Sequence, residues 1–188
     1  VDVIVRAPQK GWRSSPCCAT VMLSERARAA IDGTTSTSFA CDLKKWLQIM
    51  EAYEGGAHAY HATMPTDGLV TLRDVMRETA AYGFERVKAE QVELGAGVRA
   101  LLEARGFASV AAPGFQAPGV VVSFTTDDGI KTGAKFAAAG LQVAAGVPLA
   151  CDERPDYKAF RVGLFGLDKL HKVARTVATL EKALDQIG

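Results

Sequence analysis

Three groups of residues could carry chemistry. Lys10 follows an apolar run and lies between Pro8 and Gly11, in a loop that leads back into a second apolar run. A lysine amine is ordinarily protonated. Beside another cation, or against an apolar wall, it can lose its proton and attack a carbonyl. Position alone favours a solvated loop lysine. Arg161 interrupts the otherwise apolar string Phe160-Arg161-Val162-Gly163-Leu164. An arginine there must face solvent, pair with an acid or take an anionic ligand, and its planar fork suits two-point capture of a carboxylate. Tyr60, His61 and Thr63 gather hydroxyl and imidazole groups in one short stretch before Pro65. Such donors can bind a phosphate, or they can be incidental polar side chains on a loop. His58 and His171 show no ligand spacing and read as surface histidines.

The elements that must position these groups follow from periodicity and punctuation. Residues 2–5 predict a short buried strand and residues 17–23 a second one, with a Pro- and Gly-punctuated loop at 6–16 between them. Ser24 is placed to cap a helix over Glu25–Ile31. Residues 42–53 predict a helix with Leu43, Trp46, Leu47 and Met50 on one face, ended by Gly55-Gly56. Residues 57–68 read as irregular. A long helical pattern follows, through Leu72, Val75, Met76, Ala80, Phe84, Val87, Leu94, Val98, Leu101 and Leu102, and stops at Arg105-Gly106. Gly83, Gly95 and Gly97 argue against one unbroken helix. Strands are expected at 120–125, 142–147 and 160–164, and helices at 127–139 and 168–187. The order implies an α/β sandwich with helices on one face of a largely antiparallel sheet, and a lobe boundary near residue 68.

Composition removes several classes. The 188 residues hold 22 Lys+Arg against 21 Asp+Glu, a net charge of +1, which a polybasic nucleic-acid binder would not show. At 48% apolar and 23% charged the chain is of globular type. No apolar run approaches the roughly 18–20 residues of a membrane span. Four cysteines, Cys17, Cys18, Cys41 and Cys151, lack zinc-ligand spacing and read as idle thiols of a reducing compartment. The opening Val-Asp-Val-Ile-Val carries no signal-peptide pattern; its abrupt strand-like start hints at a segment cut from a longer chain.

Four segments taken in order resemble the C-terminal half of a class V aminotransferase, a pyridoxal-phosphate enzyme of fold type I, nearest the alanine–glyoxylate and serine–pyruvate group. Ala7-Pro8-Gln9-Lys10-Gly11 is similar to the Ser-x-Gln-Lys segment that holds the Schiff-base lysine. Ser38-Phe39-Ala40-Cys41-Asp42-Leu43-Lys44-Lys45-Trp46 resembles the Ser-Phe-Tyr-Leu-Asp-x-x-x-Trp stretch. Tyr60-His61-Ala62-Thr63-Met64-Pro65, with Leu69 and Leu72-Arg73, resembles Tyr-His-x-Thr-x-Pro…Leu-x-x-Leu-Arg. Phe160-Arg161-Val162-Gly163-Leu164-Phe165-Gly166 resembles Arg-Ile-Gly-x-x-Gly. Each segment is weak alone; the ordered set spans essentially the whole chain.

The resemblance implies pyridoxal 5'-phosphate as cofactor, with Lys10 as the Schiff-base lysine that also shuttles the substrate proton. It implies Gln9 on the cofactor phosphate, Tyr60 and Thr63 on the phosphate of a neighbouring subunit in a homodimer, and Arg161 on the substrate carboxylate. It implies transamination of alanine or serine with glyoxylate or pyruvate, in a soluble enzyme expected to be cytoplasmic, with the peroxisome or mitochondrion as the eukaryotic alternatives. Residues 1–68 become the tail of the large cofactor domain, and 69–188 the connecting helix and small domain. In the family, the ring-stacking aromatic, the aspartate on the pyridine nitrogen and the Gly-rich phosphate turn all come from upstream, so the isolated chain is expected to be incomplete. Asp2 takes a structural place in the strand leading to Lys10. After the lysine the family pattern has Asn or Gly and Pro-Pro, whereas this chain has bulky Trp12 and Arg13, which opens the substrate question. Another class V enzyme, or an inactive dimerisation module, are the competing readings.

Overall fold

The computed structural model describes residues 1–188. They form two compact units. One comprises Val1–Lys10 with Ser14–Val75, the other Gly11–Arg13 with Met76–Gly188.

In the first unit, β1 (Val3–Arg6) and β2 (Thr20–Leu23) pair antiparallel, with Val3 opposite Leu23 and Arg6 opposite Thr20. Helix α1 (Glu25–Ile31) starts as expected: Ser24 Oγ accepts from the Ala27 amide. Helix α2 (Leu43–Glu54) is capped by the Asp42 carboxylate on the Lys45 amide. Helix α3 (Thr66–Tyr82) begins here and carries the chain into the second unit. Burial departs from expectation. Val3, Ile4, Val5 and Met22 are exposed, and so are Leu43 and Met50 on the apolar side of α2. Apolar residues on both faces of a strand mark one meant to be covered twice. Within this chain the ribbon is covered on neither face enough to bury them.

The second unit has a continuous core. Helix α4 (Phe84–Ala104) follows α3 after a break at Gly83, whose φ of +101° lies outside the helical range. The long periodic segment is therefore two helices. β3 (Val120–Phe124), β4 (Ala144–Ala145) and β5 (Ala159–Gly163) form an antiparallel sheet in the order β3-β5-β4. The expected 127–139 helix is two short pieces, α5 (Asp128–Lys131) and α6 (Ala134–Ala138), separated at Thr132-Gly133. The C-terminal helix is likewise split into α7 (Leu167–Leu170) and α8 (Val173–Ile187), with a turn at His171-Lys172 between them. Leu94, Val98 and Leu102 of α4 meet Val121, Phe136, Phe160, Leu180 and Leu184 in one buried cluster. Phe160 anchors it, 5.3 Å from the Phe107 ring and 5.4 Å from that of Phe136.

Helix α4 also holds the segment that enters β3. A Cβ on Gly95 would lie 2.6 Å from the Pro118 carbonyl oxygen and 2.8 Å from its Cα. Gln91 and Arg99 donate to the Pro118 and Ala117 carbonyls on either side. At Gly97 the added carbon would meet only a methyl of Val177, at 3.3 Å. Gly95→Ala should therefore lose about 1–3 kcal/mol by overpacking against backbone that cannot yield. Gly97→Ala should be neutral, or gain up to about 1 kcal/mol of helix propensity. Urea unfolding of the two variants checks this; equal midpoints would refute the close approach.

Candidate active-site residues

Lys10 stands on the loop after β1. The Lys10 amide donates to the Ala7 carbonyl at 3.2 Å, and the Ser14 amide closes the loop onto the Pro8 carbonyl at 3.0 Å. Pro8 is buried at its base while Gln9 and Lys10 are exposed. Neither the Lys10 amine nor the Gln9 amide group is engaged by another side chain or by a carbonyl. Ser14 Oγ is buried within the same loop without a hydrogen-bond partner.

The strand that delivers Lys10 is clamped at its start. Ser24 Oγ donates to Asp2 Oδ1 at 2.8 Å, Arg26 Nε donates to the same oxygen at 3.2 Å, and Arg26 Nη2 binds Oδ2. The Ser24 amide adds a bond to the Asp2 carbonyl at 2.9 Å. These contacts, Arg26 first and Ser24 second, hold the Asp2 carboxyl below its ordinary value.

The third sequence group divides by role. The Tyr60 and Thr63 hydroxyls lie 3.1 Å apart and both residues are exposed. His61 turns inward. Its Nε2 contacts the Phe39 carbonyl at 3.0 Å, and its ring lies 4.3 Å from that of Phe39 and 5.0 Å from that of Trp46. Trp46 Nε1 donates to the Ala40 carbonyl at 2.9 Å. Phe39, Trp46 and His61 thus brace the two loops. No hydrogen bond joins Tyr60 or Thr63 to Lys10 or Gln9.

Arg161 sits mid-strand in β5, opposite Val122 of β3 and Ala144 of β4. Phe160 before it is fully buried, so the alternation of the strand turns Arg161 outward. It is exposed and forms no ion pair or hydrogen bond, and the strand partners opposite it, Val122 and Ala144, are apolar. Lys10, Gln9, Tyr60 and Thr63 belong to the first unit and Arg161 to the second.

Sequence reasoning missed the partners of Trp12 and Arg13. Both contacts lie within the second unit: Trp12 meets Phe84 edge-on with centroids 6.4 Å apart, and Arg13 Nη1 lies 2.8 Å from Asp168 Oδ1. The residues of this pair are too distant in sequence for any periodicity to connect them. The only local signal is the string around Gly166, where φ is +103°.

No protein-family model matches the chain, and no curated protein sequence matches it significantly. Solved structures do. An alanine–glyoxylate aminotransferase from Nostoc sp. superposes with a TM-score of 0.75 at 22% identity, covering 100% of this chain and 48% of its own. An aspartate aminotransferase of subgroup IV from Thermus thermophilus gives 0.74 at 21% identity, covering 100% and 50%. A ureidoglycine–glyoxylate aminotransferase from Bacillus subtilis gives 0.69 at 20% identity, covering 100% and 51%. The chain therefore has the fold of about half of such an aminotransferase, as the ordered segments implied, and it spans about half the length of these structures.

The Asp2 clamp predicts a pH response. Its folded-state carboxyl value is depressed, so its stabilisation is complete above the unfolded value and is lost as pH falls through the lower folded one. An NMR titration of Asp2 should show a midpoint below the ordinary 3.8, moving upward in Arg26→Ala. A midpoint that stays put in that variant would remove Arg26 as the cause.

Proposed function

We propose that this chain is part of a pyridoxal-phosphate-dependent aminotransferase that moves the amino group of alanine or serine to a 2-oxo acid such as glyoxylate or pyruvate. One observation carries the reading. Lys10 and Arg161, in the first and last of the family-like segments, are both exposed and unpaired, on a chain with the fold of half an aminotransferase. Residues 1–68 belong to the cofactor domain in this reading, and 69–188 to the connecting helix and small domain.

The side chains fit the ends of the cofactor and substrate. The free Lys10 amine suits an aldehyde. The paired Tyr60 and Thr63 hydroxyls, with the exposed amide of Gln9, are neutral donors suited to a phosphate. The unpaired Arg161 suits a carboxylate. When bound, the cofactor supplies the electron sink that stabilises negative charge at the substrate α-carbon.

The chain's own residues do the rest. Lys10 Nζ would hold the cofactor covalently and, as a free amine, would take the proton from the substrate α-carbon. Gln9 orients the phosphate through its side-chain amide. Tyr60 and Thr63 donate to the phosphate bound by a second copy, which makes the enzyme a homodimer. Arg161 receives the substrate carboxylate in two parallel hydrogen bonds, aligning the α-carbon; a lysine there would present a single point charge.

The test is transfer of ¹⁵N from labelled alanine to the cofactor of the holoenzyme in a single turnover. Lys10→Ala should slow it by about 10²–10⁴-fold or more, the size of a lost general base. Arg161→Lys should weaken amino-acid use by about 10- to 100-fold, the loss of charged hydrogen bonds. Unimpaired transfer by Lys10→Ala would overturn the assignment.

A further inference from the structure

Two of the four cysteines are placed to act together. Cys17 and Cys18 are adjacent in the chain, and their sulfurs lie 3.8 Å apart. In an extended strand neighbouring side chains point to opposite faces, which would part them. Here the β1–β2 ladder stops at the Arg6–Thr20 pair, so residues 17–19 lie outside it. The two thiols therefore turn to the same side. Both are free and half-buried. Cys41 and Cys151 are single exposed thiols in different units.

The first turn of α3 backs the pair. A Cβ on Gly68 would lie 2.5 Å from Cys17 Cβ and 3.4 Å from its Sγ. Only a glycine leaves room there for the Cys17 side chain. Cys17, Cys18 and Gly68 all belong to the first unit.

The geometry decides among the chemistries open to two thiols. A structural zinc ion takes four ligands, and no group of three or more His, Cys, Asp or Glu side chains converges here. A disulfide is disfavoured too. Adjacent Cα atoms joined by a trans peptide lie about 3.8 Å apart, short of the ~4.4–6.8 Å that an unstrained disulfide spans. A single reactive thiolate fits no better, because burial, and then the neighbouring Cys17, push the Cys18 thiol above its ordinary value. What remains is a soft acceptor that takes both sulfurs at once without joining them. Trivalent arsenic is such an acceptor. Its bonds lie close to right angles, and one organic substituent leaves two positions for sulfur.

We propose that Cys17 and Cys18, backed by Gly68, form a two-thiol site for a trivalent organoarsenical. With a hydrated arsenoxide, each thiol proton passes to an arsenic-bound hydroxyl. Two As–O bonds break, two As–S bonds form and two waters leave, with no change of oxidation state. The site stands apart from the chemistry proposed for Lys10.

The experiment is titration of the full chain with phenylarsine oxide against glutathione as a competing monothiol, read by intact-protein and peptide mass spectrometry. The wild type should hold one phenylarsenic group across Cys17 and Cys18, and the dithiol 2,3-dimercaptopropanol should remove it. Two-point attachment adds about 10²–10⁴-fold over one-point binding, so Cys17→Ser and Cys18→Ser should each lose that factor. Cys41→Ser and Cys151→Ser should change nothing. Gly68→Ala keeps both thiols but displaces Cys17, and should weaken capture, though less than either Cys17→Ser or Cys18→Ser. Loss of the group from the wild type to glutathione, or equal retention in Cys17→Ser or Cys18→Ser, would overturn the site. Full retention in Gly68→Ala would overturn the part given to Gly68. A Cys17–Cys18 disulfide that forms in glutathione disulfide and survives reduced glutathione would refute the dithiol reading in favour of a redox pair.

Discussion

The packing of α4 onto the antiparallel sheet fixes most of the second unit. Leu94, Val98 and Leu102 are fully buried, and Gly95 lets the helix approach the Pro118 backbone where no side chain would fit. That contact sets the level at which β3 enters the sheet, and β3 sets the register of β5. With Phe160 committed to the core between Phe107 and Phe136, strand alternation leaves Arg161 no choice of face. The chemical availability of this arginine is thus a by-product of core packing. It needs no dedicated loop, and nothing in the sheet competes for its charge.

The first unit works by a different principle. Its apolar strand and the apolar side of α2 are largely exposed, so hydrophobic burial contributes little to its order. Polar clamps hold it: Asp2 with Ser24 and Arg26, Asp42 on the start of α2, Arg28 with Glu51, and His61 on the Phe39 carbonyl. Exposed clamps of this kind are individually weak. The Lys10 loop therefore has a firm base only where Pro8 is buried.

Much of this was legible in the sequence. Ser24 announced its helix because capping is a local rule, whereas Asp42, read as the first helical residue, is the cap of α2. Of the three glycines set against one unbroken helix, Gly83 is the break, while Gly95 and Gly97 lie inside α4. Arg161 was visible as a cation in an apolar string, and β5 appeared where that string predicts it. Contacts that close over long sequence separations were not legible. Nothing local couples Arg13 to Asp168, nor shows that His61 turns inward while Tyr60 and Thr63 turn out. Apolar content misled once: Val3–Val5 and Met50 predicted burial, because pattern reports what a strand or helix could bury and not what lies beside it. The bend at Lys172 was hidden in the same way, since the apolar period runs through the break between α7 and α8.

The central claim is that Lys10 is the amine that holds the cofactor. Borohydride reduction of the holoenzyme, followed by peptide mapping of the pyridoxyl group, tests it most directly. The account predicts the group on Lys10, at about one per chain, with the other lysines unmodified. A pyridoxyl group on a different lysine, or spread evenly over the exposed ones, would contradict it.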